Sequence, residues 1–548
     1  MTLIDYAVFI AFMAGIFVIG SILYKWIGEP DDFFLAGRQL PPFILAATLV
    51  ATNVNLYSFI GQCGAAYQEG IAIVWQAWTG NMALVAAGLF ILPVFRRLRI
   101  RTIPEYLEMR YSKSVRSIVG FIWVFRLIFW LGVTMYTGAI AAEMLTGLHS
   151  FLLWIVVFTL VAVIFTTLGG AWSVALTDAL QFVLMLGGAL ILLPLAMQSV
   201  GWLPGLLEKL PADHFVFVKT EGHYNWLFIL AISFLAIQWA CTDQGMMQRA
   251  FGANSVRALA RGMVWAGIIT TPFILVILFP GLVASVRLPG LTNPDQAMPL
   301  LMSQILMPFV LGVTVCGLMS SHLSTVDSNL NAVATLFTSD IYQNLFHRQA
   351  SPKAVLRMAR LTTLIAGLLI IGIAYLVPKL GGAVQAYLTI ISIMDMPLFV
   401  VAVLYGLLWR RTNWQGALAG YLGGALAGAI SRFVCGFDVN ITTFISAGAA
   451  LIICPLVSLL TPASPHKIER IRDAMQVSQE EIDSGTAYNI RPVSKRGRFS
   501  LFVLAVGLIL FLSGIFLAPA GHHHAAGIIA ITGMVIYFSG GLLRVYSD

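Results

Sequence analysis

Residues 319 to 342 read "MSSHLSTVDSNLNAVATLFTSDIY". They continue an apolar run that begins near Met307. Within it stand the hydroxyls of Ser320, Ser321, Ser324, Thr325 and Ser328, two asparagine amides and the carboxylate of Asp327. On a helix, residues three and four apart share a face, so this pattern lines up oxygens inside an apolar segment. Sodium in a membrane protein is held by such oxygens, from hydroxyls and from carbonyls freed where a helix unwinds. The plainer alternative is that each hydroxyl bonds the carbonyl one turn back. Two further apolar stretches hold lone charges: Asp178 in "VALTDALQF" and Arg126 in "GFIWVFRLIFWLGVTMY". Ionised groups in hydrocarbon are costly and mark functional sites by default. The competing reading of Asp178 is a structural pair with an arginine of an inner loop. Arg126 suits a carboxylate, because its planar fork permits two parallel contacts. Its competing reading is snorkelling to the interface or pairing with an acid.

These residues need elements to place them. Of the 548 residues, 59% are hydrophobic and 10% charged, against roughly a quarter charged in a soluble domain. Apolar windows of about 20 residues recur along the chain, each long enough to cross a bilayer. The chain reads as a polytopic helical membrane protein of the cell membrane (the inner membrane, in a bacterium). Fifteen candidate spans lie at 4–25, 42–67, 70–96, 117–146, 151–168, 171–199, 225–250, 257–287, 305–342, 355–379, 382–409, 414–436, 440–461, 498–518 and 524–543. With the N-terminus outside, 26 of the 32 Lys and Arg fall on the inner side, five outside, and one, Arg126, inside a span. That asymmetry sets the orientation. It also accounts for the net charge of +8 without a nucleic-acid partner. No Ser/His/Asp, Cys/His or metal-ligand constellation is visible, so the sequence does not read as an enzyme.

Spans two and seven look interrupted, at "ATNVNLYSF" (51–59) and "ACTDQGMMQ" (240–248). Both put amides, hydroxyls or an acid in mid-span, and they lie five spans apart. Two inverted five-helix repeats have that spacing between their first helices, whose unwound middles form a solute site.

The stretches "FFLAGRQLPPF", "ATNVNLYSFIGQCGAAYQEGIAI", "RTIPEYLEMRY", "GGAWSVALTDALQ", "WACTDQGMMQR" and "LMSSHLSTVDSNLNAVATLFTSDIY" resemble the sodium:solute symporters, in the sodium/glucose cotransporter-like branch. The resemblance implies an all-α protein with a LeuT-type five-plus-five inverted-repeat core, extra N- and C-terminal helices, and 14–15 transmembrane helices. It divides the chain into an extra helix and loop (1–41), the transport core (42–409), two further helices (410–461), a cytoplasmic linker (462–497) and the C-terminal helices (498–548).

The resemblance also implies sites. Counting back from "LFTSDIY" puts the sodium-binding hydroxyls at Ser324 and Thr325. Ser321, Ala51 and Val54 then give backbone carbonyls. Members carrying a second sodium use an acid at Asp178 and hydroxyls at the positions of Asp327 and Ser328, so one or two ions are implied. Two carboxylates in one low-dielectric site cannot both ionise without a cation between them. For the solute, Asn53 is retained from the sugar transporters of the branch, while Ser58, Gln76, Thr270 and Thr389 stand where partners of a sugar are expected. Losing those partners argues against glucose or galactose as a tight substrate, since a buried unpaired group costs about 1–3 kcal/mol. Trp75, with Trp78 and Tyr57, is of a type that stacks on a ring or simply packs. Thr79, Arg126, Trp239, Thr242 and Asp243 complete the candidate lining. The expected activity is sodium-coupled import of a small polar organic solute by alternating access, from a monomer in a lipid bilayer. The alternatives are a small organic carboxylate as solute, or a channel or substrate sensor on the same fold.

Overall fold

The computed structural model describes residues 1–23, 28–377, 388–462 and 468–547. All fifteen apolar windows form helices in their described residues, with interruptions at Val54, at Asp243 and at 306–309. Among the described residues, ten helices are long and apolar enough to cross a membrane, two bent pairs each pass as one span, and two shorter apolar helices mark spans one and five. Among the described residues there is no strand, only the isolated bridges Leu40 to Ala253 and Lys219 to Asn225.

Both expected interruptions are real bends. Span two is Pro42–Asn53 followed by Ser58–Glu69, bent by 58°. Val54 leaves the helix in an extended conformation, φ −88° and ψ 97°. Span seven is Trp226–Thr242 followed by Gln244–Phe251, bent by 46°. Asp243 is the extended residue there, and its side chain caps the second half by accepting from Met246 N at 3.2 Å. Such a cap satisfies one of the orphaned donors at a helix start. Gly245 follows because a Cβ at that position would lie 2.9 Å from Asn329 Oδ1 and 3.2 Å from Asp243 Oδ1.

Span nine, Val310–Leu336, is polar enough to fall outside the set of membrane-compatible helices, and its position explains how the fold tolerates that. Every residue from Thr314 to Leu336 is buried. It packs against spans one, two, four, five, six and ten, so its oxygens face protein and not lipid, as a polar membrane helix must. Spans five and six run end to end through Gly170, φ +50°, where a Cβ would meet the Phe33 carbonyl oxygen at 2.7 Å.

The C-terminal spans, Lys495–Ala520 and His523–Val545, form a tight hairpin with Gly507, Gly514 and Gly533 against the partner backbone. The hairpin touches spans three, seven and eight. The linker before it is anchored to the same region: Arg97 binds Glu481 at 2.8 and 2.9 Å, Arg257 donates to the Ala487 carbonyl at 2.7 Å, and the Tyr488 hydroxyl to the Leu89 carbonyl at 3.2 Å.

Candidate functional site

The two bends face one cavity of about 160 Å³. Span two contributes Thr52, Asn53, Ser58 and Gln62; span three, Gln76; span four, Arg126 and Trp130. Span seven adds Gln238, Trp239 and Asp243, span nine Thr325 and Asn329, and span eleven Leu388, Ile391 and Asp395. The walls are rich in amides. Gln76 Oε1 accepts from the Tyr57 hydroxyl and from Gln62 Nε2, each at 3.2 Å. Asn53 Nδ2 donates to Asn81 Oδ1 at 2.9 Å, and Asn81 to Thr271 Oγ1 at 3.1 Å. Gln62 Oε1 and Gln238 Oε1 are buried without a partner among the described residues. A buried amide oxygen in that state favours a ligand that donates hydrogen bonds.

Six of the eleven solute-site candidates line this cavity: Asn53, Ser58, Gln76, Arg126, Trp239 and Asp243. The other five face elsewhere. Trp75 is fully buried, donates its indole N–H to the Phe217 carbonyl at 2.8 Å, and packs on Trp78 and Phe511. The hydroxyls of Thr79, Thr242 and Thr270 donate to the carbonyls of Trp75, Gln238 and Ala266, one turn back, at 2.8, 3.0 and 2.8 Å. Thr389 Oγ1 accepts from Arg432 Nε at 3.2 Å. All five therefore hold bonds within the protein, the ordinary use of Thr and Trp in a helical interior. Trp78 likewise donates to the Thr271 carbonyl, at 2.9 Å.

Arg126 does not snorkel. Its Nε lies 3.2 Å from Asp395 Oδ1, Nη2 donates to Asp395 Oδ2, and Nη1 lies 3.1 Å from Asp243 Oδ2. Asp395 was not among the sequence candidates, although an acid within "SIMDMPL" in span eleven falls under the same rule that singles out Asp178. Gln62 and Asn329 were also missed; each stands four residues after a candidate, Ser58 and Thr325, and so shares its face.

The ion candidates divide into two neighbouring groups. Thr325 lines the solute cavity, and its hydroxyl donates to the Ser321 carbonyl at 3.0 Å. The helix of span two ends at Asn53, so the carbonyls of Ala51 and its successors have no helical donor. The Ser324 hydroxyl lies beside the Asp178 carboxyl but makes no aligned hydrogen bond. It stands next to Thr325 in the chain and so joins that group to the second one, which is formed by Asp178, Asp327 and Ser328. The centre of that group is Arg249, a residue of the second half of span seven. Its Nη2 lies 3.1 Å from Asp178 Oδ2 and donates to Ser328 Oγ; its Nε donates to Thr48 Oγ1 at 2.8 Å, and Thr48 donates to Asp178. The pairing of Asp178 with an arginine is thus present in the fold. Asp327 Oδ1 is buried with no partner among the described residues.

The sodium:solute symporter family matches residues 33–424. A sodium/glucose cotransporter of Vibrio parahaemolyticus is 29% identical over 464 residues, 77% of this chain and 83% of that protein. The human sodium/myo-inositol cotransporter 2 is 28% identical, over 79% of this chain and 70% of its own length. In structure, the chain resembles a Na+-coupled sialic acid symporter in a substrate-bound outward-open state, with a TM-score of 0.76 at 21% identity, over 85% of this chain and 99% of the other. A nucleobase-cation-symport-1 family transporter superposes with a TM-score of 0.51 at 17% identity, over 82% and 99%. These likenesses establish the LeuT-type fold, and the family match covers most of the chain. The chain belongs to the sodium:solute symporter family.

Proposed function

We propose that the solute this symporter moves with sodium is small, uncharged and rich in hydroxyls, and that it binds between the bends of spans two and seven. The observation that carries the reading is the amide lining of the cavity: Asn53, Gln62, Gln76, Gln238 and Asn329 surround one space. Amides both donate and accept, which matches hydroxyls. The grounds against a hexose held as in the sugar transporters stay: Thr270 and Thr389 bond elsewhere and supply no partner to the cavity, and Gln76 supplies a neutral amide and no carboxylate, so a sugar or cyclitol is held differently here. The relatives named for glucose and myo-inositol transport point to the same chemical class.

Sodium binds at the carbonyls of Ala51, Val54 and Ser321 and the hydroxyls of Ser324 and Thr325. Thr325 borders the solute cavity as well, so ion and solute share a wall and occupancy of one shapes the other. A second cation is read from charge: Asp178, Asp327 and Arg249 sum to −1 when all are ionised, and a sodium ion or a proton at Asp327 neutralises the group. A thermal-shift screen of glucose, myo-inositol and small carboxylates, with sodium and with choline in its place, tests the reading. Stabilisation by a polyol in sodium alone is expected; stabilisation by carboxylates only contradicts it.

A further inference from the structure

We infer that Asp395 sets the charge of the solute this cavity accepts, by filling the fork of Arg126 that a carboxylate would otherwise occupy. The inference rests on the cavity being the solute site. A guanidinium recognises a carboxylate through two parallel N–H groups. In this protein that edge, Nε and Nη2, already faces Asp395 Oδ1 and Oδ2, and the remaining nitrogen reaches Asp243. The Trp123 ring covers one face, 5.2 Å from the guanidinium carbon. The three charged side chains are at most 9% exposed.

The three formal charges sum to −1. An anionic solute would enter a site that is already negative. To use Arg126 it would have to displace Asp395 and leave a buried carboxylate without its partner, a costly state. A hydroxyl-bearing solute meets no such obstacle, because it can donate to Asp243 and Asp395 while both stay bound to Arg126. Asp395 is therefore a specificity-determining residue acting through Arg126, and its removal opens the fork.

Glucose and glucuronate are close in size and differ in one carboxylate, so they serve as paired probes. Their binding to the purified full-length protein in sodium is measured by titration calorimetry. The wild-type protein is expected to bind glucuronate at least about tenfold more weakly than glucose. Asp395→Asn is expected to tighten glucuronate binding by about tenfold or more, the effect of a charge-assisted hydrogen bond gained. Asp395→Glu keeps the charge and is expected to show no gain. The double variant Arg126→Gln/Asp395→Asn is expected to lose the gain, because the fork itself is gone. Unchanged glucuronate binding in Asp395→Asn overturns the inference, as does a gain that survives in the double variant. Where Asp395→Asn does not fold, Asp243→Asn releases Nη1 of the same guanidinium and carries the same expectation and the same overturning result. Failure of the cavity as solute site shows separately: neither glucose nor myo-inositol then binds the wild-type protein.

Discussion

Thr325 and Gln62 show how side chains of one polar type divide between structure and function. Thr325 bonds a carbonyl one turn back and still borders the solute cavity, whereas Thr79 and Thr270 make the same bond and face other helices. Sequence gives residue type and spacing but not which face of a buried helix meets the cavity, because every face is apolar or every face is packed. That is why Asn53 and Asp243, at breaks, Arg126, a lone charge, and Gln76, through the resemblance, were legible, while Gln62, Gln238 and Asn329, which only complete a face, were not; Asp395 is a lone charge that the rule applied to Asp178 also reaches. The proposed ion hydroxyls rest on the fixed distance to "LFTSDIY" that the resemblance implies. Replacing Ser324 and Thr325 with alanine together removes two proposed ligands. The sodium concentration for half-maximal uptake should rise about tenfold or more; wild-type sodium dependence in that variant would place the ion elsewhere. Gln62→Ala removes one amide from the wall and should weaken polyol binding severalfold, while Thr270→Val, away from the cavity, should leave it within about twofold. Titration of both variants in sodium checks the contrast.

The bends in spans two and seven were readable because helix-breaking chemistry inside an apolar run has few other uses. Asp243 caps, Gly245 clears space, and Val54 lets the chain leave the helix. What the sequence did not reveal is that the second half of span seven delivers Arg249 to Asp178, a contact between residues 71 positions apart. Gly245 is tightly enclosed at the start of that element. Gly245→Ala places a methyl 2.9 Å from Asn329 Oδ1, so the amide must move. The expected outcome is a solute KM raised severalfold with the protein still folded, measured by sodium-driven uptake beside thermal melting; an unchanged KM would detach Asn329 from the site. Gly170→Ala acts differently. It forces a side chain into positive φ against the Phe33 carbonyl and should lower stability by about 1–3 kcal/mol, read as a drop in melting temperature without a change in KM.

The whole molecule is arranged around a helix too polar for lipid. Span nine stands out in the sequence by its oxygens, and its central burial follows from the same oxygens, since no lipid-facing place would hold them. The C-terminal hairpin and linker were legible as apolar spans and a charged segment, but their docking was not, because small residues such as Gly507 and Gly533 do not name their partner. Glu481→Gln breaks the two-bond contact with Arg97 and should cost about 2 kcal/mol of stability with coupling unchanged. Coupling belongs to the protein as a unit, and reversal-potential measurements on proteoliposomes give its ratio. With myo-inositol or glucose as solute, two cations per solute are expected. That ratio should fall to one in Asp327→Ala, whose carboxylate creates the need for the second. The most direct measurement of the central claim is solute accumulation by proteoliposomes holding the full chain under an inward sodium gradient. The account predicts that labelled glucose or myo-inositol accumulates above its external concentration, that accumulation stops when choline replaces sodium, and that the Ser324→Ala/Thr325→Ala variant requires more sodium to reach it. Entry that proceeds equally without sodium, or that only equilibrates the two sides, would contradict it.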